Sequence, residues 1–308
     1  MATLLVHHPV FAEHLVPSGH PERPDRIRVV NETLSEYPFD ALLRREAPLA
    51  PFEAVLSAHK APYAELIRNN VPESGFVRID ADTYMSPRSF EAALHGVGAA
   101  QLAVDEVLAG RASNAFCAVR PPGHHAESDR AMGFCLFNNA VIAACHAQSA
   151  YGAERVAIVD FDVHHGNGTQ EIVWSDPTIL YASTHQMPLY PGTGAREETG
   201  VGNIFNAPLP SGADGATFRD ALAGRILPAV DAFAPDLIVV SAGFDAHRND
   251  PLAGLQLVEE DFAFVTGELM RLAARHCDGR LVSVLEGGYD LEALARSVSA
   301  HVGTLMSA

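Results

Sequence analysis

The 308-residue sequence is poor in positive charge, in cysteine and in long apolar segments. It has 21 Lys and Arg residues against 38 Asp and Glu residues, a formal net charge of −17. With so little positive charge the chain is poorly suited to neutralise a phosphate backbone, so we expect no nucleic-acid partner. An acidic surface keeps a protein soluble and steers cationic substrates towards it.

Cysteine usage and apolar runs point to one compartment. The four cysteines, at positions 117, 135, 145 and 277, form no CxxC pair, which is typical of reduced core or near-site residues in a cytosolic protein. No apolar segment approaches the ~20 residues that cross a bilayer. The N-terminal segment lacks the basic region of a signal peptide. We therefore expect a cytoplasmic protein with no membrane partner.

The pattern along the chain predicts one α/β domain over residues 1–308, because no repeat, low-complexity tract or flexible linker interrupts it. Short β-branched runs predict strands at 3–7, 115–119, 156–161, 179–183, 237–241 and 281–285. Helical patterns occupy 26–36, 89–108, 138–149, 215–233, 259–275 and 291–306. Strands that alternate with helices imply a parallel sheet covered on both faces.

Polar segments follow five of these strands. In open parallel sheets, ligands bind beyond the carboxyl ends of the strands. The five segments, at 120–126, 160–168, 183–185, 243–247 and 286–289, are rich in Asp, His and Tyr. We therefore predict an active site along this edge of the sheet.

Three residues in these segments predict a metal site. Asp162 and His164 are two apart after a buried strand, so in extended chain they leave the same face. Asp245 completes a set of two carboxylates and one imidazole, which leaves an open position as in catalytic zinc sites. Such ligands also suit Fe²⁺ or Co²⁺. A lone Asp after a strand is usually a turn or cap residue, but the convergence of three candidates favours a metal.

Two adjacent histidines and a tyrosine supply the remaining chemistry. His124 and His125 follow a Pro-Pro-Gly turn, and one of them is suited to act as general base and then general acid. Asp160 and Asn167 are candidates to set the tautomers of this pair, and the histidine that pairs with Asn should stay neutral. Tyr289 follows Gly-Gly and is suited to stabilise an oxyanion. Taken alone, a His-His pair is more often two surface residues in a loop. Tyr289 taken alone is equally well explained as a buried structural tyrosine.

Together these motifs resemble the histone deacetylase family. The resemblance runs from Gly19-His-Pro-Glu-Arg-Pro-Asp-Arg-Ile27 to Glu286-Gly-Gly-Tyr289, nearly the whole chain. The segment at 162–170, Asp-Val-His-His-Gly-Asn-Gly-Thr-Gln, resembles class II enzymes and bacterial histone-deacetylase-like amidohydrolases, within a superfamily that includes acetylpolyamine amidohydrolases. Class I enzymes usually have Asp where this chain has Asn167.

The resemblance implies the arginase–deacetylase fold, a single α/β domain around an eight-stranded parallel sheet. It implies one Zn²⁺ ion held by Asp162, His164 and Asp245. Relatives also hold a structural K⁺ ion near the carbonyls of Asp160, Asp162 and His164 and the hydroxyl of Ser183.

The resemblance also implies catalytic roles. His125 would be the general base and acid towards metal-bound water, and His124 its electrostatic partner, hydrogen-bonded to Asp160. Asn167 would be the corresponding partner of His125. Tyr289 would polarise the acyl carbonyl together with zinc.

Four further positions match the substrate tunnel of the family. Phe134 and Tyr190 match its aromatic walls, and Gly133 matches a backbone contact to the substrate amide. Polyamine-specific relatives place a Glu where Leu252 lies here, and a leucine cannot attract a second ammonium group. This lowers the acetylpolyamine alternative without removing it.

The sequence therefore predicts a zinc amidohydrolase that removes acetyl or similar short acyl groups from acyl-lysine in proteins or peptides, with acetylpolyamines as the alternative substrate. A ureohydrolase with two Mn²⁺ ions would need an Asp two residues beyond Asp245, where this chain has His247. A silent acyl-lysine-binding scaffold would lack part of the machinery, and none is missing. Oligomeric state is left open, including a homo-oligomer whose neighbouring chain completes the tunnel rim.

Overall fold

The structure is a computed structural model that describes residues 2–307. Its main sheet has eight strands, and all their pairings are parallel. The strands, in chain order, are β1 (Thr3–His7), β2 (Leu43–Glu46), β3 (Val77–Arg78), β4 (Tyr84–Met85), β5 (Asn114–Cys117), β6 (Val156–Asp160), β7 (Ile179–Gln186), β8 (Ile204–Leu209), β9 (Leu237–Ala242) and β10 (Leu281–Leu285). The main sheet runs β2-β1-β5-β10-β9-β6-β7-β8, and β3 and β4 form a separate antiparallel pair. The predicted eight-stranded parallel sheet is confirmed.

Helices cover both faces of this sheet. The longest, α3 (Ser89–Leu108), packs with α4 (Asn139–Tyr151) on one face, and α8 (Glu259–His276) packs with α9 (Leu291–Leu305) on the other. The helices are α1 (Asp25–Thr33), α2 (Ala61–Asn69), α3 (Ser89–Leu108), α4 (Asn139–Tyr151), α5 (Asn167–Val173), α6 (Gly215–Ala221), α7 (Leu227–Phe233), α8 (Glu259–His276) and α9 (Leu291–Leu305).

The core lies in the centre of the sheet. Every residue of β5, β6, β9 and β10 is buried. These strands are mostly apolar because helices shield both of their faces from water. Burial on both faces also explains why their positions were readable from the sequence.

The two edge strands, β2 and β8, were not predicted. β2 reads Leu-Arg-Arg-Glu and is largely exposed, so it lacks the apolar pattern of a central strand. β8 contains Pro208, which cannot donate to a sheet ladder and is tolerated where one side of the strand is open. The short helices α2 and α5 were missed as well.

The predicted helix at 215–233 is divided into three parts. A π-helical turn at Leu222–Ile226 separates α6 from α7. Pro228 lies just inside α7, and its ring is incompatible with the backbone of the preceding α-helical turn. The wider turn accommodates the proline without ending the helix.

The strand order brings the predicted polar segments together. β5, β10, β9, β6 and β7 are consecutive in the sheet, and the five segments are those of these five strands. Two boundaries differ. Asp160, the first residue of the segment at 160–168, is the last residue of β6, and β7 extends to Gln186, so the segment at 183–185 lies within the strand. All four cysteines are free thiols. Among residues 2–307, no helix has the length and apolar character that a membrane crossing requires.

Candidate active site

The three predicted metal ligands converge at the carboxyl ends of β6 and β9. Asp162, His164 and Asp245 are buried, and one donor atom from each lies within 4.8 Å of the other two. The Nδ1 atom of His164 lies 3.2 Å from Oδ1 of Asp162 and 3.0 Å from Oδ2 of Asp245. Two carboxylates and an imidazole make a donor set suited to zinc.

Backbone groups fix both carboxylates in place. Gly287 donates its N–H to Oδ2 of Asp162 at 2.8 Å, and Val163 donates to Oδ1 of Asp245 at 2.9 Å. A Cβ atom on Gly287 would lie 2.2 Å from Oδ2 of Asp245, and one on Gly243 would lie 2.0 Å from Oδ2 of Asp162. Only glycine leaves room for the carboxylates at these positions, so the backbone forms a cradle around the donor set.

The electrostatics of the cluster favour a bound cation. Burial and the neighbouring Asp162 raise the pKa of Asp245 to about 7. Burial disfavours charge on His164, but its hydrogen bonds with Asp162 and Asp245 outweigh that cost and raise its pKa to about 10. Both shifts arise because two carboxylates in a dry site need a positive charge beside them. A divalent cation supplies that charge, so the residues present fit a metal ion.

The paired histidines differ in their partners. Nδ1 of His124 lies 3.0 Å from Oδ2 of Asp160, whereas Nδ1 of His125 lies 2.8 Å from Oδ1 of Asn167. Burial lowers the pKa of His124, but Asp162 and Asp160 outweigh it and raise that pKa well above its usual value. Burial, and then the positive charge of His124, hold the pKa of His125 well below its usual value. The two rings are therefore tuned in opposite directions.

Tyr289 follows β10 and faces the same cavity. Its ring packs edge-to-face on Phe134 at a centroid distance of 5.8 Å, and the guanidinium of Arg26 lies 4.9 Å from the ring centre. Burial and the carboxylate of Asp245 raise the pKa of Tyr289 well above its usual value. The phenol is therefore a hydrogen-bond donor across the neutral pH range.

A cavity of about 260 Å³ connects these groups to solvent. Its wall includes all four predicted tunnel residues, Gly133, Phe134, Tyr190 and Leu252. Leu189 and Asp82 also line it. The N–H of Gly133 donates to Oδ1 of Asp82 at 3.2 Å. Gly133 has a φ of +55°, and a Cβ there would lie 2.3 Å from the ring of His125, so glycine is required.

Two histidines of the polar segments point away from this cavity. His165 contacts Thr193 and Gln170 through its two ring nitrogens, as expected for a structural residue. Nε2 of His247 lies 3.5 Å from a carboxylate oxygen of Glu259, and the residue does not line the cavity. Within residues 2–307, only one group of three His, Cys, Asp or Glu side chains has metal-ligand geometry.

Three supporting residues were missed in the sequence. Glu286 accepts the backbone N–H groups of Gly123 and His124 at 2.7 and 3.1 Å. The hydroxyl of Tyr181, in β7, donates to Asp160 at 3.1 Å, and Glu127 accepts from the amide of Asn167 at 2.7 Å. Glu286 adjoins the Gly-Gly-Tyr motif, which was a usable signal. Tyr181 lies inside an apolar strand and Glu127 in a loop, so neither stood out.

Comparison with known proteins agrees with this geometry. Residues 20–305 match the histone deacetylase domain. The histone deacetylase-like amidohydrolase of Pseudomonas aeruginosa is 41% identical, over 88% of this chain and 73% of that protein. Type-2 histone deacetylase 2 of Dictyostelium discoideum is 37% identical over 99% of this chain, which spans only 21% of that longer protein.

The fold has a close counterpart among solved structures. The crystal structure of the HDA15 HD domain superposes with a TM-score of 0.94 at 35% identity, covering 99% of this chain and 88% of that one. This confirms the predicted arginase–deacetylase fold. The match to residues 20–305, with the three candidate metal ligands brought together, shows that the chain belongs to the histone deacetylase family.

Proposed function

We propose that this chain is a zinc-dependent deacetylase that removes acetyl or similar short acyl groups from the side-chain amine of lysine in peptides or proteins. One observation carries the proposal: His125, Tyr289 and His164 of the Asp–His–Asp triad line a single cavity of about 260 Å³. Family membership supports hydrolysis of an amide.

Asp162, His164 and Asp245 would hold the zinc ion. A zinc ion bound there would act as a Lewis acid towards the acyl carbonyl and lower the pKa of a water molecule to about 7. The glycine cradle at 243 and 287 supports this assignment, because it spaces the carboxylates for a shared cation.

His125 would serve as general base and then general acid. Asn167 would accept a hydrogen bond from the N–H at Nδ1, which leaves the Nε2 lone pair to take a proton from the attacking water. The same nitrogen returns the proton to the leaving lysine amine. His124, held by Asp160, provides a positive charge beside this proton transfer.

Tyr289 would donate its hydroxyl proton in a hydrogen bond to the acyl oxygen as negative charge develops there. Phe134 and Tyr190 would flank the methylene stem of the lysine, and Gly133 would contact the substrate amide through its backbone. Leu252 and Leu189 close the remaining wall with apolar surface. This lining suits an uncharged stem better than a chain that carries further ammonium groups.

Acetylpolyamines are the second candidate substrate, because the cavity wall includes a carboxylate that suits a second ammonium group. The carboxylate of Asp82 lines the cavity with Tyr190, whose pKa is raised above its usual value chiefly by burial and then by Asp82. A carboxylate at the mouth would attract a second ammonium group. The same carboxylate would equally attract lysine-rich peptides.

A structural K⁺ ion stays a prediction. The register of the sheet pairs Asp160 in β6 with Ser183 in β7, so these two predicted ligands lie side by side on neighbouring strands. The hydroxyl of Ser183 also contacts Nδ1 of His185 at 2.8 Å. K⁺ dependence of the thermal midpoint, with Na⁺ as the comparison, would test this site.

A substrate panel tests the proposed function. The zinc-loaded chain is assayed on an acetyl-lysine peptide, a longer-chain acyl-lysine peptide and acetylputrescine, each with and without a chelator. We expect chelator-sensitive hydrolysis, with the acetyl-lysine peptide preferred over acetylputrescine. Leu252→Glu should shift that preference towards acetylputrescine. A wild-type preference for acetylputrescine would favour the second candidate, and no hydrolysis of any amide would refute both.

A further inference from the structure

Asp250 connects two parts of the cavity wall that are distant in the sequence. Its Oδ2 atom accepts the backbone N–H of Tyr289 at 2.7 Å, and its Oδ1 atom accepts the N–H of Leu252 at 3.0 Å. The residue is 6% exposed. The chemistry proposed above gives this carboxylate no role, yet it holds both the oxyanion donor and the apolar wall.

Few other contacts fix the backbone at Tyr289. Residues 286–289, between β10 and α9, have no regular secondary structure, and Gly288 has a φ of +122°. Arg26 holds the carbonyl of Gly288 with its Nε and packs over the ring of Tyr289. Arg26 therefore contacts the ring and the preceding carbonyl, whereas Asp250 takes the N–H of Tyr289 itself. Together with the packing of the ring on Phe134, these two anchors orient the phenol.

Capping of α9 does not account for this carboxylate. Asp290 caps that helix itself, because its Oδ1 accepts the N–H of Ala293 at 2.8 Å. The contact of Asp250 with the N–H of Asp290 is long, at 3.4 Å. The short hydrogen bonds of Asp250 go instead to the two residues that line the cavity.

We propose that Asp250 is a positioning residue that sets the orientation of Tyr289 and the position of the Leu252 wall through one carboxylate. The inference rests on the proposed function. An ionised carboxylate accepts at both oxygens, so it satisfies donors on both sides. An Asn side chain offers one acceptor oxygen, and its NH₂ group would face a backbone N–H on the other side. Asp250→Asn therefore keeps the volume of the side chain and loses one of the two anchors.

A double-mutant cycle with Tyr289→Phe tests the positioning role. We expect Asp250→Asn to lower kcat on an acetyl-lysine peptide by about tenfold or more, because small displacements of a catalytic group are costly. In the Tyr289→Phe background the same change should alter kcat by less than about twofold, since the hydroxyl that it positions is gone. The ratio of KM values for long and short acyl-lysine peptides should change in both backgrounds, because Leu252 is released in both.

Asp236→Asn is the matched control. Its carboxylate also accepts two backbone N–H groups, those of Glu154 and Arg155 at 2.8 and 2.9 Å, but it lies at the opposite end of the sheet. We expect its kcat to equal that of the wild-type chain. If Asp250→Asn did not fold, Asp250→Glu would be used in the same cycle, because it keeps the carboxylate and displaces it by one methylene.

The outcomes separate this inference from the proposed function. A wild-type chain that hydrolyses no acyl-amine would refute the proposed function and the inference with it. An active chain in which Asp250→Asn leaves kcat unchanged, or in which the losses from the two substitutions multiply, would refute the positioning role alone. A multiplied loss would show that Asp250 acts on something other than Tyr289.

Discussion

Nδ1 of His125 lies 2.8 Å from Oδ1 of Asn167, and this contact determines which ring nitrogen carries the proton. The amide nitrogen of Asn167 donates to Glu127, so its oxygen is the atom that faces the ring and can only accept. The proton of a neutral His125 must therefore be on Nδ1. Nε2 is left with its lone pair, as a general base requires.

Removing the side chain of Asn167 should slow catalysis. Without the amide oxygen, His125 loses the contact that fixes its tautomer and ring orientation, so we expect Asn167→Ala to lower kcat by about 10- to 100-fold with bound zinc retained. Asn167→Asp keeps an acceptor and should restore most of the activity. The negative charge of the aspartate favours the imidazolium form of His125 and so raises the pKa of that histidine. As the pH is lowered, kcat/KM of Asn167→Asp should therefore begin to fall at a higher pH than kcat/KM of the wild-type chain.

Steady-state rates over a pH series, with zinc content measured by elemental analysis, check this prediction. Equal losses in Asn167→Ala and Asn167→Asp would show that the neutral amide, rather than an acceptor at this position, is what His125 needs. Wild-type activity in Asn167→Ala would remove His125 from its proposed role.

The glycine cradle predicts a substitution that acts on the metal site from the backbone. A Cβ at Gly287 would lie 2.2 Å from Asp245 and 2.6 Å from Asp162, so Gly287→Ala must displace both carboxylates. We expect zinc affinity to fall by at least about tenfold, measured by competition with a chromophoric chelator. Gly303→Ala, which adds a methyl group in open space within α9, is the control and should bind zinc as the wild-type chain does. Equal affinities in the two variants would place the metal elsewhere.

Stability should fall as the pH is lowered, and His301 contributes to that loss. His301 is buried between Thr266 and Ser283, with ring contacts of 2.6 and 2.8 Å, and burial lowers its pKa to about 3. The unfolded chain takes up this proton as the pH falls below about 6.5, whereas the folded chain resists it. The contribution is therefore fully present above pH ~6.5 and is lost as the pH falls towards 3.

Between about pH 7 and pH 5 this single histidine should cost about 2 kcal/mol of unfolding free energy. The glutamine in His301→Gln does not titrate in this range, so the unfolding free energy of the variant should decline less steeply as the pH falls. At pH 7 that free energy should be lower than in the wild-type chain. Urea unfolding of both chains at several pH values measures the difference between their unfolding free energies. Loss of the metal at low pH affects both chains alike and cancels in this difference. Parallel pH profiles would contradict a buried neutral His301.

The sequence was sufficient for the core of the site because its residues follow apolar strands. Asp162, His164 and Asp245 stand directly beyond buried runs, where the strand pattern predicts both their position and their common edge. The edge strands β2 and β8 were not readable, since partial exposure and Pro208 remove the apolar signal there. Whether a strand lies in the centre or at the edge of the sheet therefore decides whether the sequence predicts it.

Contacts between segments that are distant along the chain could not be predicted from the sequence. Tyr181 reaches Asp160 only because β7 lies beside β6, and Asp250 reaches Tyr289 across 39 positions. Neither contact follows from local spacing. The spatial order of the strands, in which β10 and β9 lie between β5 and β6, had to come from the structure.

The most direct test of the central claim measures the release of acetate from an acetyl-lysine peptide. The zinc-loaded wild-type chain is compared with the zinc-loaded Tyr289→Phe variant. The variant retains the ring that packs on Phe134 and loses only the hydroxyl. The account predicts acetate release by the wild-type chain and a loss of about 100- to 1000-fold in kcat for the variant, with equal zinc content and thermal midpoint. Equal rates of acetate release from the two chains would contradict it.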